Sequence, residues 1–489
     1  MINPELHRGL RTLTRPSEWV TPLLWVLFLA FMAFGVFFEP VYMSYKEPAR
    51  AAHEAVTAIL IATLVVSCVM AAYRAGHSLA EEIEKNTFEL LAITGLGIGN
   101  VVRGRVLAAA AKPVVCALLS LPFVLPIAGF APRLYGHLAE FYFVLLPASL
   151  VLCSLVGVVS GAVSKKAEHG GAHAVGVLLI LGAIFGGMTA DALGGCRHNC
   201  SPTPLPAVFC LFPLAPLLAY QGRSTSCLFS VSGVLLPGTL ISAVLFAVLS
   251  KVLYDMAVRQ LRDPHASPLT PAHLVILTLL TDLLFWSAPT FASQVPTSLA
   301  FLALTGVLGT AYAAFSSPDR IGLERTIYRE AQAGKASDLG MSARGLFLPL
   351  VMFYAGQLAI QALVGAFFTS TLALSYLAAL TLNAVYLCFA ALQKLVIKIP
   401  FKYVIVVIAV LFIPLGATGA LKNEHVQIVL ALPFPLFAAE AARLGQVAGF
   451  SLVYNVLLCV FGWIILQSSV AELRARVHRV LREVGIEAR

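Results

Sequence analysis

Acidic side chains crowd one short stretch of an otherwise apolar chain. Glu81, Glu82, Glu84 and Glu89 lie there with Lys85, Thr87 and Thr94 among them. Leu79, Ile83, Leu90 and Leu91 supply an apolar stripe, and the charged residues take the other faces. A segment of this kind performs no bond chemistry. It can lay its stripe in a cleft of a soluble partner and set its acids against basic groups there. The glycines that follow, Gly95, Gly97 and Gly99, let the chain turn. They are not a dinucleotide fingerprint, because no strand precedes them and the spacing differs from G-x-G-x-x-G.

Other residues with chemical potential are sparse. Asp282 falls in the middle of an apolar run, where a charge costs a few kcal/mol, roughly 2.5–3.5 by insertion scales. It should therefore face the interior of a bundle and have a partner. Two readings stand: a group that meets substrate or ion, or a structural hydrogen bond. Four of the nine cysteines, Cys196, Cys200, Cys210 and Cys227, share the segment 191–231. On an oxidising side they can form disulfides in more than one pairing. The spacing Cys196–Cys200 is not a usual zinc pattern, and no metal site is expected. The chain has no G-x-x-x-x-G-K-S/T loop to cradle a phosphate, and no nucleophile elbow, zincin or paired-carboxylate arrangement. It reads as no enzyme and binds no cofactor of its own.

The elements that carry these residues follow from composition. Hydrophobic residues make up 59% of the 489, charged residues only 12%, and mean hydropathy is +0.88. A soluble domain has about 25% charged residues and could not hide this much apolar surface. A helix needs about 20 apolar residues to cross a bilayer, and the chain holds about twelve such runs. Backbone groups in lipid must be bonded internally, so an all-α polytopic bundle is expected. The first six spans fall at 20–38, 55–73, 105–130, 139–163, 172–190 and 232–254. The second six fall at 272–291, 297–315, 346–367, 370–392, 403–420 and 450–470.

The net charge of +9 is distributed along this pattern. With the N-terminus inside, external loops hold only Lys46, Arg50, Arg133, Arg197, Arg223, Lys422 and Arg443 of the 33 Lys and Arg. Lys112 lies within a span, and the remainder are internal. That bias places both termini in the cytoplasm. It leaves no basic face on a soluble element for nucleic acid. The lead-in 1–19 carries Leu6, Leu10 and Leu13 at helical spacing with Arg8, Arg11 and Arg15 around them, which suits a helix lying among lipid headgroups.

Two similar halves are discernible, 20–254 and 272–470, joined by a linker at 255–271 and followed by a charged tail at 471–489. In each half a long charged loop follows the second span, 74–104 and then 316–345. In each half a longer external segment precedes the last span, 191–231 and then 421–449. Parallel repeats are a common way to build a transporter.

Glu84 to Gly95, read as E-K-N-T-F-E-L-L-A-I-T-G, resembles the segment E-(K/R)-x-G-T-x-E-L-L-x-T-P of permease subunits in ABC-2-type ABC transporters. Asn86 stands for the usual Gly and Gly95 for the usual Pro. The opening Asn3-Pro4-Glu5-Leu6-His7-Arg8-Gly9-Leu10 is similar to that family's N-P-x-L-x-R-E-L element, with Gly9 for Glu. The resemblance implies a coupling helix within 78–100 that docks a separate P-loop ABC ATPase. The docking residues would be Glu81, Glu84, Lys85, Thr87, Glu89, Leu90, Leu91 and Thr94. It implies export by alternating access across a cell membrane (the bacterial inner or plasma membrane), with ATP and Mg bound by the partner chain. One chain would supply both transmembrane halves, or two copies would pair as a homodimer. The loop 316–345 does not match the docking pattern. Its Asp319-Arg320-Ile321-Gly322 is similar instead to the D-R-x-G loop core of major-facilitator carriers, which also have two six-span halves. A secondary carrier driven by an ion gradient is the alternative reading. A polytopic membrane enzyme is a third, for which no converging polar cluster is found.

Overall fold

The structure, a computed structural model, describes chiefly residues 19–42, 47–85, 97–164, 166–179, 234–263 and 446–483, with short pieces elsewhere. The chain divides into two compact units, Met1–Pro264 with Trp286–Thr290, and His265–Phe285 with Phe291–Arg489.

Helix α1 begins at Val20, passes through a π turn at Phe34–Phe38 and ends at Tyr42. Apolar residues surround it, and packing divides them. Trp25, Leu29, Ala33 and Phe37 recur every fourth residue and are buried, while Leu23, Leu27, Phe31 and Phe34 are exposed. An exposed apolar face on a long helix is what lipid covers. Helix α2 spans Pro48–Glu84, 37 residues. Pro48 suits its first turn because the missing N–H would have had no partner there. At 1.5 Å per residue α2 is about 55 Å long, well beyond a hydrocarbon core of about 30 Å.

Helices α3 (Ile98–Leu118) and α4 (Leu121–Ala128) are bent by 41° at Leu119–Ser120. Helix α5 covers Leu134–Val163, with a π turn at Phe141–Leu145. Helix α6 occupies 167–179. Helix α7 spans Gly238–Arg262. In the second unit, helix α8 spans Gln446–Glu483 and runs unbroken from an apolar part into a charged one. There Glu472 and Arg476 pair at 3.5 Å. Among the described residues, five helices are long and apolar enough to cross a membrane, or six if the bent α3–α4 pair is one span. This is a helical, multi-pass, membrane-embedded protein. The spans expected between 272 and 420 lie largely outside the described residues.

Side-chain contacts fix the direction of each helix in the first unit. Lys112 reaches Thr21, Trp25 reaches Cys116 and Phe37 meets Phe130, so α1 runs with α3–α4. Helix α2 runs against them, since Glu82 at its end meets Arg105 near the start of α3. Helix α5 runs with α2, because Ala72 and Gly76 meet Gly157 and Gly161 in that order. Helix α6 reverses again, from Ala167 at Glu84 toward Gly170 at Gly76. Helix α7 starts beside Glu140 and reaches Gly99 with Tyr254. Alternating directions of this kind are what successive membrane crossings require.

One feature departs from an all-α reading. Strands β1 (Leu205–Pro206), β2 (Leu228–Val231) and β3 (Val234–Pro237) form a small sheet in the order β1-β2-β3. Strands β2 and β3 are antiparallel, with Val231 opposite Val234 and Leu228 opposite Pro237. β1 runs parallel to β2. The sixth helix was expected from 232 and starts at Gly238 instead. Pro237 has no N–H for a helix interior and takes an extended ψ of 131° as the N-cap. Gly238 lacks the side chain that would strike the buried ring of Phe229, where a Cβ would come within 2.4 Å.

Candidate functional site

The acidic cluster picked out in the sequence lies at the end of α2. Residues 78–84 are the last turns of that helix, and Ile98 already belongs to α3. Of the residues expected to dock a partner, Glu81, Glu84, Lys85 and Thr87 are described. Glu89, Leu90, Leu91 and Thr94 lie outside the described residues.

Each described acid has a partner within the chain. Glu81 sits one turn from both His77 and Lys85; it pairs with Lys85, and His77 Nδ1 lies 4.0 Å away. These are exposed contacts, worth about 0–1 kcal/mol. Glu82 makes an ion pair with Arg105 of α3, and here both side chains are nearly buried, 12% and 4% exposed. A pair so withdrawn from water holds its geometry, because separating it would strand a charge. Glu84 reaches α6, where its Oε2 accepts the N–H of Ala167 at 2.8 Å. Ala167 opens that helix, and a carboxylate there satisfies a free N–H and complements the positive end of the helix dipole. Thr87 donates to the Glu82 carbonyl at 3.2 Å. The end of α2 is thereby tied to both α3 and α6.

Close packing extends these ties into the bundle. A Cβ on Gly157 would come within 2.3 Å of the Ala72 carbonyl oxygen, and one on Gly161 within 2.6 Å of the Gly76 oxygen. Gly170 and Gly76 each lie so close to the other's carbonyl that a Cβ would come within 2.6 Å. Helices α2, α5 and α6 therefore meet backbone to backbone at Gly76. Small residues spaced by four allow this approach, which lets helices associate in lipid without a hydrophobic driving force. The buried cluster of Ala75, Leu79, Val102, Val106, Leu155 and Val158 fills the space next to this seam and brings in α3.

Two polar groups deeper in the bundle bond across from α1 to α3, while the buried Ser154 and Ser250 hydroxyls of α5 and α7 make no hydrogen bond among the described residues. Lys112, within the α3 span, is buried and donates to Thr21 at 3.3 Å. The indole N–H of Trp25 donates to the Cys116 carbonyl at 3.0 Å. That carbonyl is open to it because Ser120 bonds back to Ala117 where α3 bends. Cys68, Cys116 and Cys153 are buried and pack as small residues inside spans.

Asp282 and the cysteines Cys196, Cys200 and Cys227 lie outside the described residues. Cys210 is a free, buried thiol, and burial pushes its pKa up to about 12. Its carbonyl accepts the Ser242 hydroxyl at 2.8 Å, which fastens that segment to α7. Among the described residues no group of His, Cys, Asp or Glu is arranged to hold a metal ion.

No protein-family model, curated protein or solved structure matches this chain. Its geometry alone therefore says what the site can do. Near the Glu84 end the Ser164 hydroxyl lies 3.2 Å from His173 Nδ1, but it donates its proton to the Ser160 carbonyl at 2.8 Å, so among the described residues what this end holds is mechanical. The residues that sequence reasoning missed are Arg105, Ala167 and the glycines of the seam. The seam had a visible signal in Ala72, Gly76 and Ala80 at four-residue spacing, matched by Gly157 and Gly161. The Arg105 and Ala167 partnerships had none, since both depend on how helices return.

Proposed function

We propose that this chain is the membrane-spanning permease subunit of an ATP-driven exporter of the ABC-2 type, worked by a separate P-loop ATPase. The observation that carries the reading is the anchoring of the connection between α2 and α3. Before it, Glu82 and Glu84 bind α3 and α6, and behind it Arg105 binds back to α2. A push on residues 85–97 would reach α2, α3 and α6 together. The glycine seam would carry it on to α5, since helices in backbone contact cannot slide independently. In this scheme the ATPase closes on ATP, shifts the connection and tilts α2 with its packed neighbours, so that the path opens to the other side. The chain's own part is to bind the ATPase, transmit its motion and enclose the cargo. The cargo class is apolar or amphipathic, as a mostly apolar bundle interior would suit: a lipid, a drug-like molecule or a lipid-linked glycan.

The test is purification of the tagged chain from its native host in a gentle detergent, read by mass spectrometry. A P-loop ATPase in near-stoichiometric amount is the expected result. An intact chain that carries no ATPase, while a known ABC complex survives the same procedure, would overturn the reading in favour of an ion-driven carrier.

A further inference from the structure

Helix α3 shows the same side to its surroundings at Leu107, Val114 and Leu118, and that exposed apolar stripe ends in exposed Arg103. Helix α7 repeats the pattern, with exposed Leu240, Val244 and Ala247 leading to exposed Lys251. The two stripes finish on one aromatic ring. Arg103 lies 5.4 Å from the centroid of Tyr254 and Lys251 lies 5.6 Å from it. The ring itself is held against the α3 backbone, where a Cβ on Gly99 would come within 2.5 Å of the phenol oxygen. A methyl at Gly99 would push the Tyr254 ring away from α3. The neighbouring Gly97 has ordinary dihedrals (φ −56°) and open space around it. Further along the same face of α7 come Asp255, then Arg259 and Arg262, which are exposed. Asp255 pairs with Lys251 at 2.7 Å and offsets its charge. Arg103, Arg259 and Arg262 then outnumber the one remaining described carboxylate, Asp263, and leave the junction net positive.

We infer that the junction of α3 and α7 around Tyr254 binds the headgroup of an anionic phospholipid, with Arg103 and Arg259 at its phosphate and the two apolar stripes along its acyl chains. Cations at the end of lipid-facing stripes meet the headgroup layer, where each contributes about 1 kcal/mol toward anionic lipid. Tyr is suited to the same layer, since its ring is apolar and its hydroxyl polar. Free phosphate would use the cations but not the stripes, and the stripes commit the site to a lipid. The inference is independent of what drives transport.

Native mass spectrometry of the full-length chain, loaded in turn with phosphatidylglycerol and phosphatidylcholine, tests it. The wild type should retain phosphatidylglycerol in preference. Arg103→Ala should lose about fivefold of that retention and Arg103→Ala with Arg259→Ala about 25-fold, with phosphatidylcholine unchanged. Arg103→Lys should keep most of it, which separates lost charge from lost fold. Arg50→Ala, an exposed arginine at the other end of the bundle, should change nothing. Equal loss on Arg50→Ala, no loss on the double substitution, or displacement of the lipid by millimolar inorganic phosphate would each overturn the proposal.

Discussion

Glu82 and Arg105 show how a residue chosen for one role turns out to hold another position. In the sequence Glu82 is one of a run of acids set to face a partner protein. In the structure it is nearly buried against a cation 23 positions away. Removing one member strands the other, and a stranded buried charge costs about 3–5 kcal/mol. Glu82→Leu and Arg105→Met should therefore each lower the melting temperature in detergent clearly. The pair of changes Glu82→Leu and Arg105→Met should restore much of the loss, because neither charge is then left alone. A double variant as unstable as the sum of the singles would mean that the pair does not act as a unit. Cys210 offers a second check at this scale. A thiol pushed up to about 12 stays protonated near neutral pH, so it supplies almost no thiolate for alkylation. In folded protein at pH 8 it should resist maleimide, and it should react once the chain is unfolded without reductant. Silence until a reductant is added would instead show it bridged to Cys196, Cys200 or Cys227.

At the scale of elements the glycine seam should be the stiffest part of the first unit. Gly157→Ala puts a methyl 2.3 Å from a carbonyl oxygen, and either α2 or α5 must move. Overpacking of this kind costs about 1–3 kcal/mol. Gly176→Ala in α6 meets open space and should leave the melting temperature unchanged or slightly higher. Equal effects from the two substitutions would remove the seam from the argument. The existence of these helices was legible because runs of about 20 apolar residues have few other destinations. Their ends were less so. Hydropathy marks 55–73 for the second span and the helix is Pro48–Glu84, since hydropathy shows only the part in lipid. The polar ends continue as helix on pairs such as Arg50 with Glu54, at 3.4 Å. The hairpin of β2 and β3 was illegible for a related reason. Residues 232–237 are apolar enough to read as the start of a helix, and only the short Ser232-Gly233 and Pro237-Gly238 steps signal otherwise.

For the whole molecule, alternating helix directions and charge asymmetry bear on one question, which way the bundle faces. The helices of the first unit bring residue 85, residue 166 and Arg262 to the end where Glu84 lies, and bring Arg133 to the opposite end. Described cations at the Glu84 end include Lys85, Arg103, Lys166, Lys251, Arg259 and Arg262, against Arg50 and Arg133 at the other. Cations are retained on the cytoplasmic side during insertion, so the Glu84 end should face the cytoplasm. Single cysteines introduced as Lys85→Cys, Lys166→Cys, Arg262→Cys and Arg133→Cys, with the native cysteines replaced by serine, make this measurable. An impermeant maleimide on intact cells should label only the variant at 133, and the other three should label after permeabilisation. ATP hydrolysis takes place in the cytoplasm. Labelling at 85 from outside would therefore reverse the orientation and also remove any ATPase from reach of the α2–α3 connection. Labelling at 85 from inside leaves that connection where such a partner can push on it. In that case Glu89→Lys should abolish co-purification of the ATPase while the melting temperature stays within a degree or so of wild type, since a charge reversed in a segment whose role is to dock a partner costs the fold little, about 0.5 kcal/mol or less.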